Sequence, residues 1–399
     1  MGKTVRIGLF FFILAGIPAG AQDFGLDAIG PIDTEILGTT LTVGGAAQGT
    51  IFAPFQPKGK DSNKITPSGA ATLNAALKQE TDSGLTISLQ TAFQLYHDRF
   101  SGDNYGNDLV QKVYGRVQTG LGNLEIGMND GAAFALAVGG PTVDSEAGLD
   151  NPNATFSRNP DTGRSFADVF ALNGAVEPSY NFAKISYYTP KLFGVQVGAS
   201  YTPSQAKDVL PFVSSGPVKT NRQDSIWETA VRYDDSLGPF AVQLSGGAAF
   251  SHADKGTETP GHAGLTDWAM GSQLSYPINE QTKFSLGGSY HRSNAYAFDP
   301  TNVLSDGATR STHFGMKLEN GPWAFGLEYG NGAASGAGQD PDLKLQGYGA
   351  ALGVTLNDNW AGTFGWQELR YNRDSGSFYT GQPRVDLDAL FLHLHFQVQ

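Results

Sequence analysis

LTISLQTAFQLY, residues 85–96, is the stretch that decides the fold. Leu85, Ile87, Leu89, Phe93 and Leu95 fall on one face, and Thr86, Ser88, Gln90 and Gln94 fall on the other. A two-residue period is the mark of a strand, whose successive side chains point to opposite sides. A helix would repeat every three to four residues, and that period is absent here. The segment therefore reads as a strand with one apolar and one polar face.

The same alternation recurs along the chain. Val113, Val117 and Thr119 oppose Lys112, Tyr114, Arg116 and Gln118; Val195, Val197, Ala199 and Tyr201 alternate with Gln196, Gly198 and Ser200. Phe314, Met316 and Leu318 make a further apolar face, as do Trp323, Phe325, Leu327 and Tyr329. The last strand sets Leu390, Leu392, Leu394, Phe396 and Val398 against His393, His395, Gln397 and Gln399. Seven short breaks rich in Gly, Pro, Asn and Asp lie near 82–84, 120–123, 190–194, 234–238, 277–280, 319–322 and 357–359. These are the residues that tight turns require. Between them lie eight longer polar connections, near 54–68, 97–108, 130–178, 203–224, 252–266, 292–309, 330–342 and 374–382. Short and long connections alternate throughout, which predicts about sixteen antiparallel strands closed into an up-and-down transmembrane barrel.

Composition agrees with this all-β reading. The chain has 399 residues, 52 Gly, 25 Phe, 15 Tyr and only 16% charged residues. Past the N-terminal segment no apolar run reaches the roughly 18–20 residues of a membrane helix, but a closed barrel crosses a bilayer without one. Tyr187, Tyr233, Phe240, Tyr276, Trp323 and Trp360 each flank a short turn, as expected of an interfacial aromatic belt at one rim. At the start, Lys3 and Arg6 precede the apolar run 7–17 and then Pro18-Ala19-Gly20-Ala21. That is a secretory signal peptide, 1–21, with cleavage expected after Ala21. Residues 22–38 read as an N-terminal extension and 39–399 as one barrel domain, with no appended domain after the last strand. The net charge of −12 argues against nucleic acid as a partner. The absence of Cys excludes disulfides and thiolate metal sites.

Catalytic and cofactor motifs are not found. No H-E-x-x-H or G-x-S-x-G occurs, and no phosphate-loop spacing. His393 and His395 share a strand face, but the further ligands a metal needs are not supplied, so they read as polar lumen lining. Asp340 and Asp342 are a weak calcium signal in a loop. His97 and Asp98 lie near a rim without an indicated nucleophile. The expectation is a chain with no enzymatic activity and no cofactor.

FAKISYYTPKLFGVQVGASYTP, residues 182–203, resembles the strand–turn–strand hairpin of general trimeric Gram-negative porins, the alphaproteobacterial type in particular. The matching residues are Ser186, Tyr187, Thr189, Pro190, Phe193, Gly194 and Tyr201. VYGRVQTGLGNLEIG, 113–127, resembles the hairpin leading into that family's constriction loop, and LTVGGAAQGTIFA, 41–53, its first strand. Many members end on a terminal Phe, whereas here Phe396 is followed by Gln397-Val398-Gln399. The resemblance implies a homotrimer in the outer membrane, surrounded by its lipid, forming a water-filled channel for passive diffusion of small hydrophilic solutes and ions. A substrate-selective sugar or anion channel is the alternative, kept open by Phe134, Phe156, Phe166 and Phe170. It also implies that the long connection, 130–178, folds into the barrel and faces a basic wall. Strand parity nominates Lys78, Lys112, Arg116 and Lys184 for that wall, and Asp144, Glu146, Asp150, Asp161 and Asp168 are the nominated loop acids.

Overall fold

A computed structural model describes residues 31–36, 38–55, 65–97, 110–149, 170–205, 223–253, 263–298, 303, 308–335, 343–374 and 381–398. It is almost wholly β. The strands are β1 (Ile32–Ile36), β2 (Thr39–Phe55), β3 (Thr66–Glu80), β4 (Thr86–His97), β5 (Val110–Thr119), β6 (Gly122–Met128), β7 (Ala183–Tyr188), β8 (Val195–Ser204) and β9 (Gln223–Leu237). They continue as β10 (Phe240–Ala253), β11 (Thr266–Pro277), β12 (Thr282–Ser293), β13 (Ala308–Asn320), β14 (Trp323–Ser335), β15 (Leu343–Thr355), β16 (Trp360–Arg373) and β17 (Arg384–Val398). One helical turn, α1 (Ala132–Ala135), follows β6.

Each strand from β2 to β17 pairs antiparallel with its sequence neighbour. β17 then pairs with β2, from Asp388↔Phe55 to Val398↔Gly45, and the 16-stranded ring is closed. Closure leaves no open edge, the condition for crossing hydrocarbon with strands. Part of the 22–38 segment is wall: β1 pairs with the start of β2, Ile32↔Val43 to Ile36↔Thr39. It takes up the edge of β2 where β17 stops at Gly45.

Side-chain parity sorts the two faces. Ile87, Leu89, Val117, Val197, Val231, Met270, Leu286, Met316, Leu327 and Leu394 point outward and are exposed on the bare barrel. Ser88, Glu125, Lys184, Ser186, Glu228, Asp267, His291, His313 and His393 point inward and are buried. The outer apolar side chains make the lipid-facing band, about 25 Å tall in such barrels. Tight turns close the short-connection end. In the β7–β8 turn Phe193 and Gly194 both have positive φ, 51° and 80°. A side chain tolerates that region poorly, which is why the second position is Gly.

One stretch departs from the simple apolar-out rule. Toward the long-connection end of β15–β17 the faces exchange character. Leu343, Leu345, Leu369, Tyr371, Val385, Leu387 and Phe391 point inward and are buried with Phe52. Glu368, Arg370, Asp386 and Asp388 take the outer face, where Arg370 bonds Glu368 at 2.6 Å and Arg384 bonds Asp386 at 3.0 Å. Inside, these apolar groups are covered by the β6–β7 connection.

Candidate functional site

The described parts of the connection between β6 and β7, 129–149 and 170–182, turn into the lumen and lie along the inner wall. Their apolar residues drive this. Leu136, Val138, Leu149, Phe170, Leu172 and Val176 are each 6% exposed or less, and burial of one such side chain contributes ~1.5–3 kcal/mol. Leu149, Phe170 and Leu172 complete the apolar cluster on β14–β17. The wall accommodates the chain with small residues. A Cβ at Gly271 (β11) would overlap the carbonyl oxygen of Val138, and one at Gly315 (β13) would overlap that of Pro141. Gly326 (β14) and Gly353 (β15) leave room for the Val143 methyls, which would stand 2.6 and 2.7 Å from an added Cβ. Those glycines are close-approach positions.

A buried backbone needs partners for its polar groups, and inward side chains of the wall provide them. Ser200 Oγ accepts from the Ala132 N–H at 3.0 Å, Glu228 from Ala133 at 3.2 Å and Ser245 from Val138 at 2.8 Å. Glu328 accepts from Leu149 N–H at 2.9 Å, and Tyr371 OH donates to the Phe170 carbonyl at 2.8 Å. Gln367 donates to the Ala147 carbonyl. Three histidine–carboxylate pairs back this seam. His393 bonds Asp144 directly. His313 pairs with Glu328 at 3.1 Å, and His291 pairs with Asp267 at 2.5 Å while its other nitrogen meets the Asn173 carbonyl at 3.2 Å. Burial alone would raise the Asp144 carboxyl, but the hydrogen bond and charge of His393 outweigh it and hold the group below the usual range.

The nominated residues now have positions. Lys184 is 3% exposed and points into the base of the connection. Its ammonium donates to the carbonyls of Asn129, of Tyr180 at 2.5 Å and of Ser179 at 3.5 Å. There it joins the two ends of the loop. Lys112 pairs with Asp130 at 2.6 Å, and Arg116 pairs with Glu125 at 2.6 Å across the β5–β6 ladder. Both cations remain one-third exposed to the lumen. Tyr114 lies between them, its hydroxyl donating to Gln90 at 2.6 Å. Lys78 stands apart near the short-turn end, paired with Glu80 at 2.6 Å. An exposed pair of that kind adds little stability. Glu146 is exposed and accepts from Gln48 at 3.3 Å, and Asp144 is held by His393. Asp150, Asp161 and Asp168, with Phe156, Phe166, Asp98 and the Asp340/Asp342 pair, lie outside the described residues. Near the loop base burial pushes Glu177 up to about 8, with the charges of Asp130 and Glu228 adding to it, so it holds its proton at neutral pH.

The structure therefore brings Lys112, Arg116, Asp130 and Glu125 together and seals Lys184 into the hinge of the loop. Sequence reading passed over Glu228, Glu328, His291 and His313, the wall groups that hold the loop. Their signal was present: each is a titratable residue on the polar face of its strand. Among the described residues no three His, Asp or Glu side chains converge as metal ligands.

The described parts of the loop line the inner wall of β8–β17, and the polar inner faces of β3–β6 lie across from them. Solved structures share this fold. The chain is similar to an OmpF from Salmonella typhi in complex with daunomycin, at TM-score 0.58 and 14% identity, covering 92% of this chain and 100% of that one. It is similar to an anion-selective porin from Comamonas acidovorans, at 0.57 and 14%, covering 90% and 99%. A trimer form of OmpT from Vibrio cholerae matches at 0.56 and 11%, again covering 90% and 99%. No curated protein sequence matches the chain. A family model described as Gram-negative porin matches residues 10–375. With its closed barrel and inward-folded loop, the chain belongs to the Gram-negative porin family and forms an outer-membrane porin channel.

Proposed function

We propose that this channel is a general diffusion pore for small hydrophilic solutes and ions, without a catalytic step. The observation that carries the reading is the docking of residues 132–149 and 170–176 on β8–β17. We assign the solute path to the space between those residues and the inner wall of β3–β6. Lys112 and Arg116 on the wall and Glu146 on the loop are the charged side chains we assign to the narrowing. Lys184 and Asp144 hold the loop rather than contact solute. Because Lys112 and Arg116 each sit beside a carboxylate, the field across the passage is local, and selectivity follows size more than charge. Liposome swelling with a series of neutral sugars tests this. Rates falling smoothly with sugar size and rising linearly with concentration are expected. Rates that saturate would make the channel substrate-selective.

The functional form we propose is a homotrimer of the chain cleaved after Ala21, of the alphaproteobacterial type indicated by the 182–203 hairpin. The outer face of β2–β3 supports the trimer, because it carries Ala47, Gly49, Ala71 and Ala75, small residues that let a second copy approach closely. A Cβ at Gly49 meets nothing within 4 Å in a single barrel. Gly49→Trp is therefore expected to fold and conduct as a monomer while losing the trimer band in native electrophoresis. A trimer of unchanged stability in that variant would move the interface to another face.

A further inference from the structure

Beyond β12 the chain turns back into the mouth of the barrel. Ser293 accepts from the Ala295 N–H at 3.1 Å, and Asn294 ties the start of the turn to β11 by accepting from the Thr266 N–H at 2.8 Å. Thr309 on β13 holds the other side. Its hydroxyl accepts from the Ala297 N–H at 2.9 Å and donates to the Ala295 carbonyl at 2.6 Å. Ala295 also bridges to Val303, and both are buried. The turn that results, Tyr296–Phe298, is strained: Ala297 and Phe298 have φ of 50° and 60°. Two successive side chains in the left-handed region are costly, and such a backbone persists only where its surroundings over-determine it. Neither position is Gly or Asn, the residues that adopt it most readily.

The strained backbone presents one ring. Phe298 lies nearly parallel to His291, with centroids 4.2 Å apart and planes at 18°, and nearly parallel to Phe170, at 6.0 Å and 21°. His291 belongs to the wall, on β12, whereas Phe170 belongs to the limb of the loop that returns to β7. That limb is also bonded beside the rings: the Asn173 carbonyl meets His291 Nδ1 at 3.2 Å and accepts from Ser311 Oγ. Phe170 and Leu172 are each 1% exposed, and Phe298 packs on the apolar cluster that contains both. Ring pairs of this kind add to what burial alone supplies.

We propose that Phe298 is a positioning residue of the pore, a latch carried by the β12–β13 connection that clasps the returning limb, 170–176, to the wall. The left-handed turn at Ala297 and Phe298 is what sets the ring in place. The latch's bearing on permeation rests on the loop narrowing the solute path.

The chain has no Cys, so Leu172→Cys supplies a single thiol within the limb. The test is the rate at which a water-soluble thiosulfonate modifies that thiol in the full barrel in lipid vesicles, with single-channel recording alongside. Adding Phe298→Ala is expected to speed modification about tenfold, because the loss of two ring contacts lets the limb open locally. Ala297→Val keeps the ring but disfavours the left-handed backbone, and a faster rate is expected there too. Phe298→Tyr keeps the flat ring and is expected to show the parent rate. Heat resistance of the barrel on denaturing gels is expected to stay the same throughout, since no strand pairing changes. Should Phe298→Ala not fold, Phe298→Leu, apolar but without a flat ring, is read in the same way. An equal rate with and without the ring would overturn the proposal, whatever the conductance does. So would a Tyr variant as fast as the Ala variant, because ring contact would then not hold the limb. A faster rate accompanied by a general fall in heat resistance would also overturn it, since the whole barrel would have loosened. Faster modification with larger, noisier conductance steps supports it. Faster modification with unaltered conductance upholds the latch and counts against the loop as the narrowing.

Discussion

Gly315→Val is expected to raise single-channel conductance by a factor of about two, through a wider pore. Gly315 lies inside β13 with its Cα facing the lumen, and an added Cβ would overlap the backbone of Pro141 in the loop between β6 and β7. The strand itself accepts Val, since β-branched residues suit strands. The clash falls on backbone atoms that cannot swing aside as a side chain would, so the loop has to move. Leaving its seat breaks contacts on either side, among them the Ser245 bond to Val138 and the His393 bond to Asp144. Gly246→Val is the control. Gly246 is on the outer face of β10, where an added Cβ finds its nearest atom, Val231 Cγ1, at 3.9 Å. The same change of residue there is expected to leave conductance alone. Equal conductance in both variants would mean that the loop does not narrow the path.

Met316→Arg is expected to destabilise the barrel in a bilayer by about 2–4 kcal/mol, the cost of a cation on the lipid face near the midplane. Met316 is 41% exposed on the bare barrel and has Leu286 and Leu327 as its register partners. A guanidinium there would have hydrocarbon on all sides and no counter-charge. Asn74→Arg, on the lumen face of β3, is expected to change stability by less than about 0.5 kcal/mol, because its side chain is in water. Reversible denaturant unfolding in lipid vesicles measures both. Equal small effects would mean that the outer surface at β13 does not meet lipid.

The barrel was legible because its two solvents impose a strict period. Residues such as Ile87 and Leu89, or Phe314 and Met316, sort by parity alone, and the alternation of short and long connections fixed the topology before any contact was known. What failed to announce itself depended on the loop. Val385, Leu387 and Phe391 point inward although the lumen is wet, because Leu149, Phe170 and Leu172 cover them. Periodicity gives the alternation there, but not which face is inside. Lys184 shows the same limit. Parity put it on the inner wall with Lys112 and Arg116, but its surroundings depend on where the loop's ends return, and there its charge meets three carbonyls. The signal for the loop's seat lay in the wall glycines, such as Gly271 and Gly315, whose neighbours are known only once the loop is in place. The short strand β1 was also hidden, since five residues, IDTEI, are too few to show a period.

Single-channel recording of the purified wild type in a planar bilayer tests most directly whether an open, water-filled passage runs beside the docked loop. Discrete, ohmic steps that persist at low voltage are expected, with a reversal potential near zero in a salt gradient because the wall cations at Lys112 and Arg116 are paired. A barrel that inserts, as judged by its resistance to denaturation, and yet passes no current would contradict the account.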